Sequence, residues 1–90
     1  GFRIRRKVCI LSEKYQEIQE YIVTDLHRGA TLYHAYGGMD LTKRMEVVTI
    51  LEKSEYGKLL AYIHQTDPDA FVTVSTVNEV IGRWNQNRKW

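Results

Sequence analysis

Apolar positions along this chain alternate between a period of two and a period near 3.6. Lys7 to Leu11 carries the short run Val8-Cys9-Ile10-Leu11, with the length and β-branched content of a buried strand. From Tyr15 the apolar residues recur at Ile18, Tyr21, Ile22 and Leu26, one helical stripe with Lys14, Glu17, Glu20 and Asp25 outside it. Ser12 stands where an N-cap belongs, Glu13 suits the positive end of the helix dipole, and Gly29 after His27-Arg28 is a natural stop. The spacing therefore predicts a helix over 13–27. Ala30 to Tyr36 and Arg44 to Lys53 read as two strands of an antiparallel hairpin, broken by Gly37-Gly38-Met39-Asp40. On the second of them Met45, Val47, Thr49 and Leu51 share one face, and Glu46, Val48, Ile50 and Glu52 the other.

Ser54 is expected to cap a second helix, with Tyr56, Leu59, Leu60 and Ile63 as its apolar stripe. Asp67-Pro68-Asp69 ends it, because proline cannot continue the hydrogen-bonded ladder. Phe71 to Val77 is the last strand, after which Asn78 is expected to cap one helical turn, Glu79-Val80-Ile81, closed by Gly82. The order β-α-β-β-α-β most economically builds an α+β ferredoxin-like plait, a four-stranded antiparallel sheet with two helices on one face. A right-handed crossover then places the first and third strands side by side. The expected organisation is a basic arm at 1–7, the domain at 8–82 and a basic tail at 83–90.

Composition narrows this further. Ninety residues with one proline suit a single domain. Uncharged stretches such as Ala30 to Met39 are far short of the roughly 20 apolar residues of a membrane span. Cys9 is the single cysteine, which excludes an internal disulfide and a cysteine-cluster zinc site. The basic start is followed by no apolar run of signal-peptide type, and Gly1 in place of methionine suggests a piece cut from something longer or a cloning remnant. Seven of the 13 cations lie in 1–7 and 83–90, so 8–82 holds six against all 11 acids, a net of −5. An acidic body with basic ends is expected to repel phosphate backbones, and nucleic acid is not the expected partner.

Candidate chemistry is sparse. His27, His34 and His64 show no metal-ligand spacing, and Cys9 reads as a buried, inert thiol. Asp67 and Asp69 are accounted for by the proline turn, Ser12 and Ser54 by capping, and no nucleophile elbow surrounds any serine. No catalytic residue, metal ligand or cofactor is expected, and the chain is not expected to be an enzyme. The Gly37–Arg44 loop is the segment of most interest. It joins Gly37, Gly38, Met39 and Asp40 to the cations Lys43 and Arg44, and in a plait it can reach a ligand or a neighbouring subunit. Arg28, beside Gly29, offers a further guanidinium to an anion.

Four segments in order carry a resemblance: Ser12-Glu13-Lys14-Tyr15-Gln16-Glu17-Ile18, Arg28-Gly29-Ala30-Thr31-Leu32, Asp67-Pro68-Asp69-Ala70-Phe71-Val72 and Val77-Asn78-Glu79-Val80-Ile81-Gly82. Together they resemble the soluble C-terminal domain of the YitT family of bacterial multi-pass membrane proteins, over about residues 1–82. That family's hairpin loop commonly reads Gly-Ala/Gly-Tyr-Thr-Gly, whereas Gly37-Gly38-Met39-Asp40-Leu41 keeps only the first glycine. The resemblance implies membrane helices upstream and this domain on the cytoplasmic side of the bacterial membrane. Arg3, Arg5, Arg6 and Lys7 suit the positive-inside tendency and anionic headgroups. The expected role is a non-catalytic regulatory or ligand-sensing module, attached to a protein of transport type and taking an unidentified small molecule. The alternative is a structural oligomerisation module without a ligand. A homo-oligomer is expected in either case, because both faces of strands three and four carry apolar residues. Binding to duplex DNA at about 150 mM salt is expected to be weak and sequence-independent in a filter or anisotropy assay; sub-micromolar, sequence-selective binding would overturn the exclusion of nucleic acid.

Overall fold

In a computed structural model of the chain, residues 4–82 are described. The expected plait is there. Four strands, β1 (Arg5–Leu11), β2 (Thr31–Tyr36), β3 (Lys43–Leu51) and β4 (Phe71–Val77), form one sheet in the order β2-β3-β1-β4, antiparallel at every pairing. Two helical segments cover one face: α1 (Tyr15–Glu20), continued by a π-helical turn (Tyr21–Asp25), and α2 (Lys53–Thr66). The first and third strands lie side by side, as a right-handed crossover requires.

Register decides which face is dry. Val8 and Ile10 of β1 and Val47 and Leu51 of β3 point under the helices and are fully buried. Ile18, Ile22 and Leu26 from the first helical segment and Leu59 and Ile63 from α2 complete this core. Of the two faces read from β3, Met45, Val47, Thr49 and Leu51 therefore belong to the helices, and Glu46, Val48 and Ile50 to the open side. Thr49 is the buried polar residue among those described, and its hydroxyl donates to the Gly29 carbonyl at 2.8 Å. Across the two helices the Tyr21 and Tyr62 rings stack, with centroids 4.0 Å apart and planes 9° from parallel.

Several local readings change. β1 begins at Arg5, two residues earlier than expected, because β4 and β3 run on opposite it and pair with Arg5 and Arg6. Arg6 then lies over the Tyr56 ring at 5.6 Å. The single helix over 13–27 is instead a short α-helix widened by a π turn: the Leu26 amide donates to Tyr21 five residues back, and Arg28 to Ile22 six residues back. The stop is not Gly29 but His27, which takes a left-handed φ of 56°. Ser12 is not the N-cap. Its hydroxyl accepts from the Lys14 amide at 2.9 Å and donates to Asp67. The second helix starts at Lys53 and not at a Ser54 cap: Glu52 is its N-cap and Glu55 closes a capping box, accepting from the Glu52 amide at 3.0 Å. No helical turn forms at Glu79–Ile81, where Ile81 is 90% exposed; three residues cannot offset the cost of nucleating a turn with so little to bury. Ile18→Ala is expected to lower the unfolding free energy by about 2–5 kcal/mol in urea denaturation, whereas Met39→Ala, at a fully exposed position, should shift it by less than about 0.5 kcal/mol.

Candidate functional site

The helices stop short of the sheet's β2 edge, and the β2–β3 hairpin stands out beyond them. Between that hairpin and the segment entering α1 lies a cleft of about 520 Å³. Ser12, Glu13 and Tyr15 form its wall on the helix side. His34 of β2 and Thr42, Lys43, Arg44 and Met45 of the hairpin form the other. The wall carries two permanent cations against one carboxylate, with hydroxyls from Ser12, Tyr15 and Thr42 and apolar surface from Met45 and the tyrosine ring. Such a lining suits a small ligand with an anionic group and an apolar body.

The loop over 37–42 is closed by its own hydrogen bonds. The Gly37 amide donates to the Thr42 carbonyl at 2.9 Å and the Leu41 amide to the Gly37 carbonyl at 2.8 Å. Asp40 accepts from the Thr42 amide at 3.0 Å, and Leu41 takes a left-handed φ of 58°. A Cβ at Gly37 would sit 2.9 Å from Asp40 Oδ1, so a larger residue there would make the Asp40 side chain shift. The Thr42 hydroxyl and amide, helped by the Arg44 charge, hold the Asp40 carboxyl below its ordinary range. Gly38 has open space around it and Met39 is wholly exposed at the tip.

Of the residues singled out from sequence, Lys43 and Arg44 line the cleft, while Gly37, Gly38, Met39 and Asp40 form the turn above it. Arg28 is elsewhere. Its guanidinium pairs with Glu55 Oε2 at 2.6 Å, both side chains more than four-fifths buried, so it ties the end of the first helical segment to the start of α2. The cleft also contains Ser12, Glu13, Tyr15, His34 and Met45, which sequence reasoning did not assign to a site. Nothing local marks them. They meet only in the folded chain, where the hairpin and the segment entering α1 line one cleft. Cys9 is half-buried on the open sheet face and does not belong to the core, because Val8 and Ile10 take the helix side. Asp67 and Asp69 form the expected turn, the Asp69 amide donating to Asp67 Oδ1 at 3.0 Å.

The Asp40 carboxyl yields a pH prediction. A carboxyl with a depressed folded pKa contributes stability above its unfolded value, and loses it as pH falls through the folded one. The hairpin should therefore stay closed at pH 4 and loosen only in stronger acid. Carboxyl-carbon NMR should place the Asp40 midpoint below 3.8, and Thr42→Ala should move it upward; an unchanged midpoint would remove Thr42 as the cause.

Comparison with known proteins adds a family. Residues 28–82 match the model of an uncharacterized protein conserved in bacteria, DUF2179. An uncharacterized protein in the cccA 5' region of Bacillus sp. (strain PS3) is 32% identical over 82 residues, covering 91% of this chain and 55% of that protein. Two UPF0750 membrane proteins of Bacillus subtilis (strain 168) are similar: YvjA is 29% identical over 91% of this chain, and YdeO 37% identical over 81%. The chain spans about half the length of the first of these relatives, 29% of YvjA and 25% of YdeO. Among solved structures, a DUF2179 protein from Eubacterium ventriosum superposes with a TM-score of 0.69 at 27% identity, over 79% of this chain and 97% of that one. A functionally unknown protein from Pediococcus pentosaceus shares the fold, with a TM-score of 0.70 at 15% identity over 92% of this chain and 100% of that one.

Proposed function

Since the chain belongs to the DUF2179 family and relatives along most of its length are UPF0750 membrane proteins, we propose that it is a regulatory, ligand-sensing domain of a bacterial multi-pass membrane protein. In this reading it is non-catalytic. It lies on the cytoplasmic side, C-terminal to the membrane helices, as the YitT resemblance implies, and the membrane part is of transport type. Among the described residues no helix is long and apolar enough to cross a membrane. The relatives' extra length leaves room for such helices, because this chain covers under a third of YvjA.

The observation that carries the sensing role is the cleft. Lys43 and Arg44 are among the residues that line it on the hairpin side, opposite the segment entering α1, across about 520 Å³. An anion drawn to these two cations would bridge the hairpin and the start of α1. It would bind best when the two are at one separation, and so bias their relative position. That bias is what the domain would pass to the membrane part.

The competing reading is a structural oligomerisation module without a ligand, favoured by the apolar residues on the open sheet face. A thermal-shift screen of nucleotides and cyclic dinucleotides separates the two. A ligand present at 100 times its Kd should raise stability by about 2.7 kcal/mol, and Lys43→Ala with Arg44→Ala should abolish the shift. No shift with any compound would leave the structural reading in place.

A further inference from the structure

The two walls of the cleft carry opposite charges that the fold leaves unpaired. Glu13 belongs to the wall on the helix side and Lys43 to the hairpin wall. Among the described residues neither takes part in an ion pair, and Lys14, the cation beside Glu13, is turned to Glu17 at 3.9 Å. Strand alternation sets Lys43 and Met45 on the helix side of the sheet with Val47, and His34 opposite Met45 on that same side. Arg44 borders the cleft from the strand's other side, and its charge acts on Asp40 in the turn. The walls also hold Met45 and Tyr15, both half-buried, as apolar surface.

We propose that the ligand of this cleft is a zwitterion of the amino-acid type, with its carboxylate on Lys43, its ammonium group on Glu13 and an aromatic or long apolar side chain against Met45 and Tyr15. The inference rests on the cleft's being a ligand site, and it names the chemistry that the site takes. Charge balance makes the choice. A ligand with an anionic group alone would cover Glu13 without giving it a partner, and burying an unpaired carboxylate is costly. A ligand with a cationic group alone would do the same to Lys43. A nucleotide brings phosphate charge and no ammonium group, so Glu13 would repel it. A zwitterion gives each wall a charge-assisted hydrogen bond. The volume of about 520 Å³ falls within the roughly 300–1,000 Å³ of small-molecule sites, which leaves room for a side chain beyond the two charged groups. An aromatic side chain suits the apolar surface well, because the Met45 sulfur and the Tyr15 ring both pack favourably against rings.

The test is an amide NMR titration of the 90-residue chain with L-phenylalanine, L-methionine and L-leucine, up to about 10 mM, enough to reveal a Kd of about 1 mM. Each is compared with its analogue lacking the ammonium group and its analogue lacking the carboxylate, which for phenylalanine are phenylpropionate and phenylethylamine. Adenosine monophosphate is titrated beside them. At least one amino acid should shift the Tyr15 and Met45 amides, and loss of either charged group should weaken its binding about tenfold. Glu13→Gln should erase the preference over the analogue without ammonium and keep the preference over the analogue without carboxylate. Lys43→Gln should do the reverse, and the dispersion of each variant's spectrum shows that it is folded. An amino acid that binds no better than its analogues overturns the inference, as does a preference indifferent to Glu13→Gln. So does a cleft that takes phenylpropionate or adenosine monophosphate but no amino acid, and such a result, if lost in Lys43→Gln, leaves the ligand-sensing reading standing. If no compound of either class binds, the inference and that reading fall together.

Discussion

Only one side of the β1–β3 pair is dry, and the rest of the molecule is arranged around that constraint. Val8, Ile10, Val47 and Leu51 need cover from above, and Ile18, Ile22, Leu59 and Ile63 supply it. A ninety-residue chain has too little helix to cover four strands on both faces. The central pair is therefore covered first, and the margins are left bare. The cleft beside β2 and the apolar open face are two consequences of the same shortage. One is the space where the helices stop short of the sheet's edge, and the other is the face they never reach.

The cover is held in place at both ends of the helical layer by polar ties. At one end Arg28 pairs with Glu55, whose other carboxylate oxygen closes the capping box of α2. At the other, Ser12 donates to Asp67, whose remaining oxygen organises the proline turn. Each carboxylate thus serves a local turn and a distant segment at once. Removing Glu55 would take away a helix cap and leave a largely buried guanidinium without this partner, which is why a mutation there would reach beyond its own turn.

Much of the fold could be read from the sequence, because strands and stripes are set by local periodicity. The β4 bounds, the hairpin and the residues of the helical stripe are where their spacing puts them. The terminations were harder. Ser54 and Gly29 are ordinary capping residues in ordinary places, yet Glu52 with Glu55 and the left-handed His27 do the capping. Glu55 also answers to a partner outside its helix, since its second carboxylate oxygen pairs with Arg28. The cleft was half legible. Lys43 and Arg44 stood beside a glycine-rich loop, but His34 and Tyr15 meet across it only after folding. Arg28 had the composition of an anion site, and its anion proved to be a side chain of the same domain.

The π turn gives chain length itself a structural role. Between Tyr21 and Leu26 the backbone accommodates one residue more than an α-helical turn would hold. Wound as a regular α-helix, the same residues would turn all that follows by about 100° around the helix axis, carrying Arg28 away from Glu55 and Gly29 away from the Thr49 hydroxyl. The widened turn acts as a phase adjuster. It reconciles the pitch demanded by the core with the direction in which the chain must leave to begin β2.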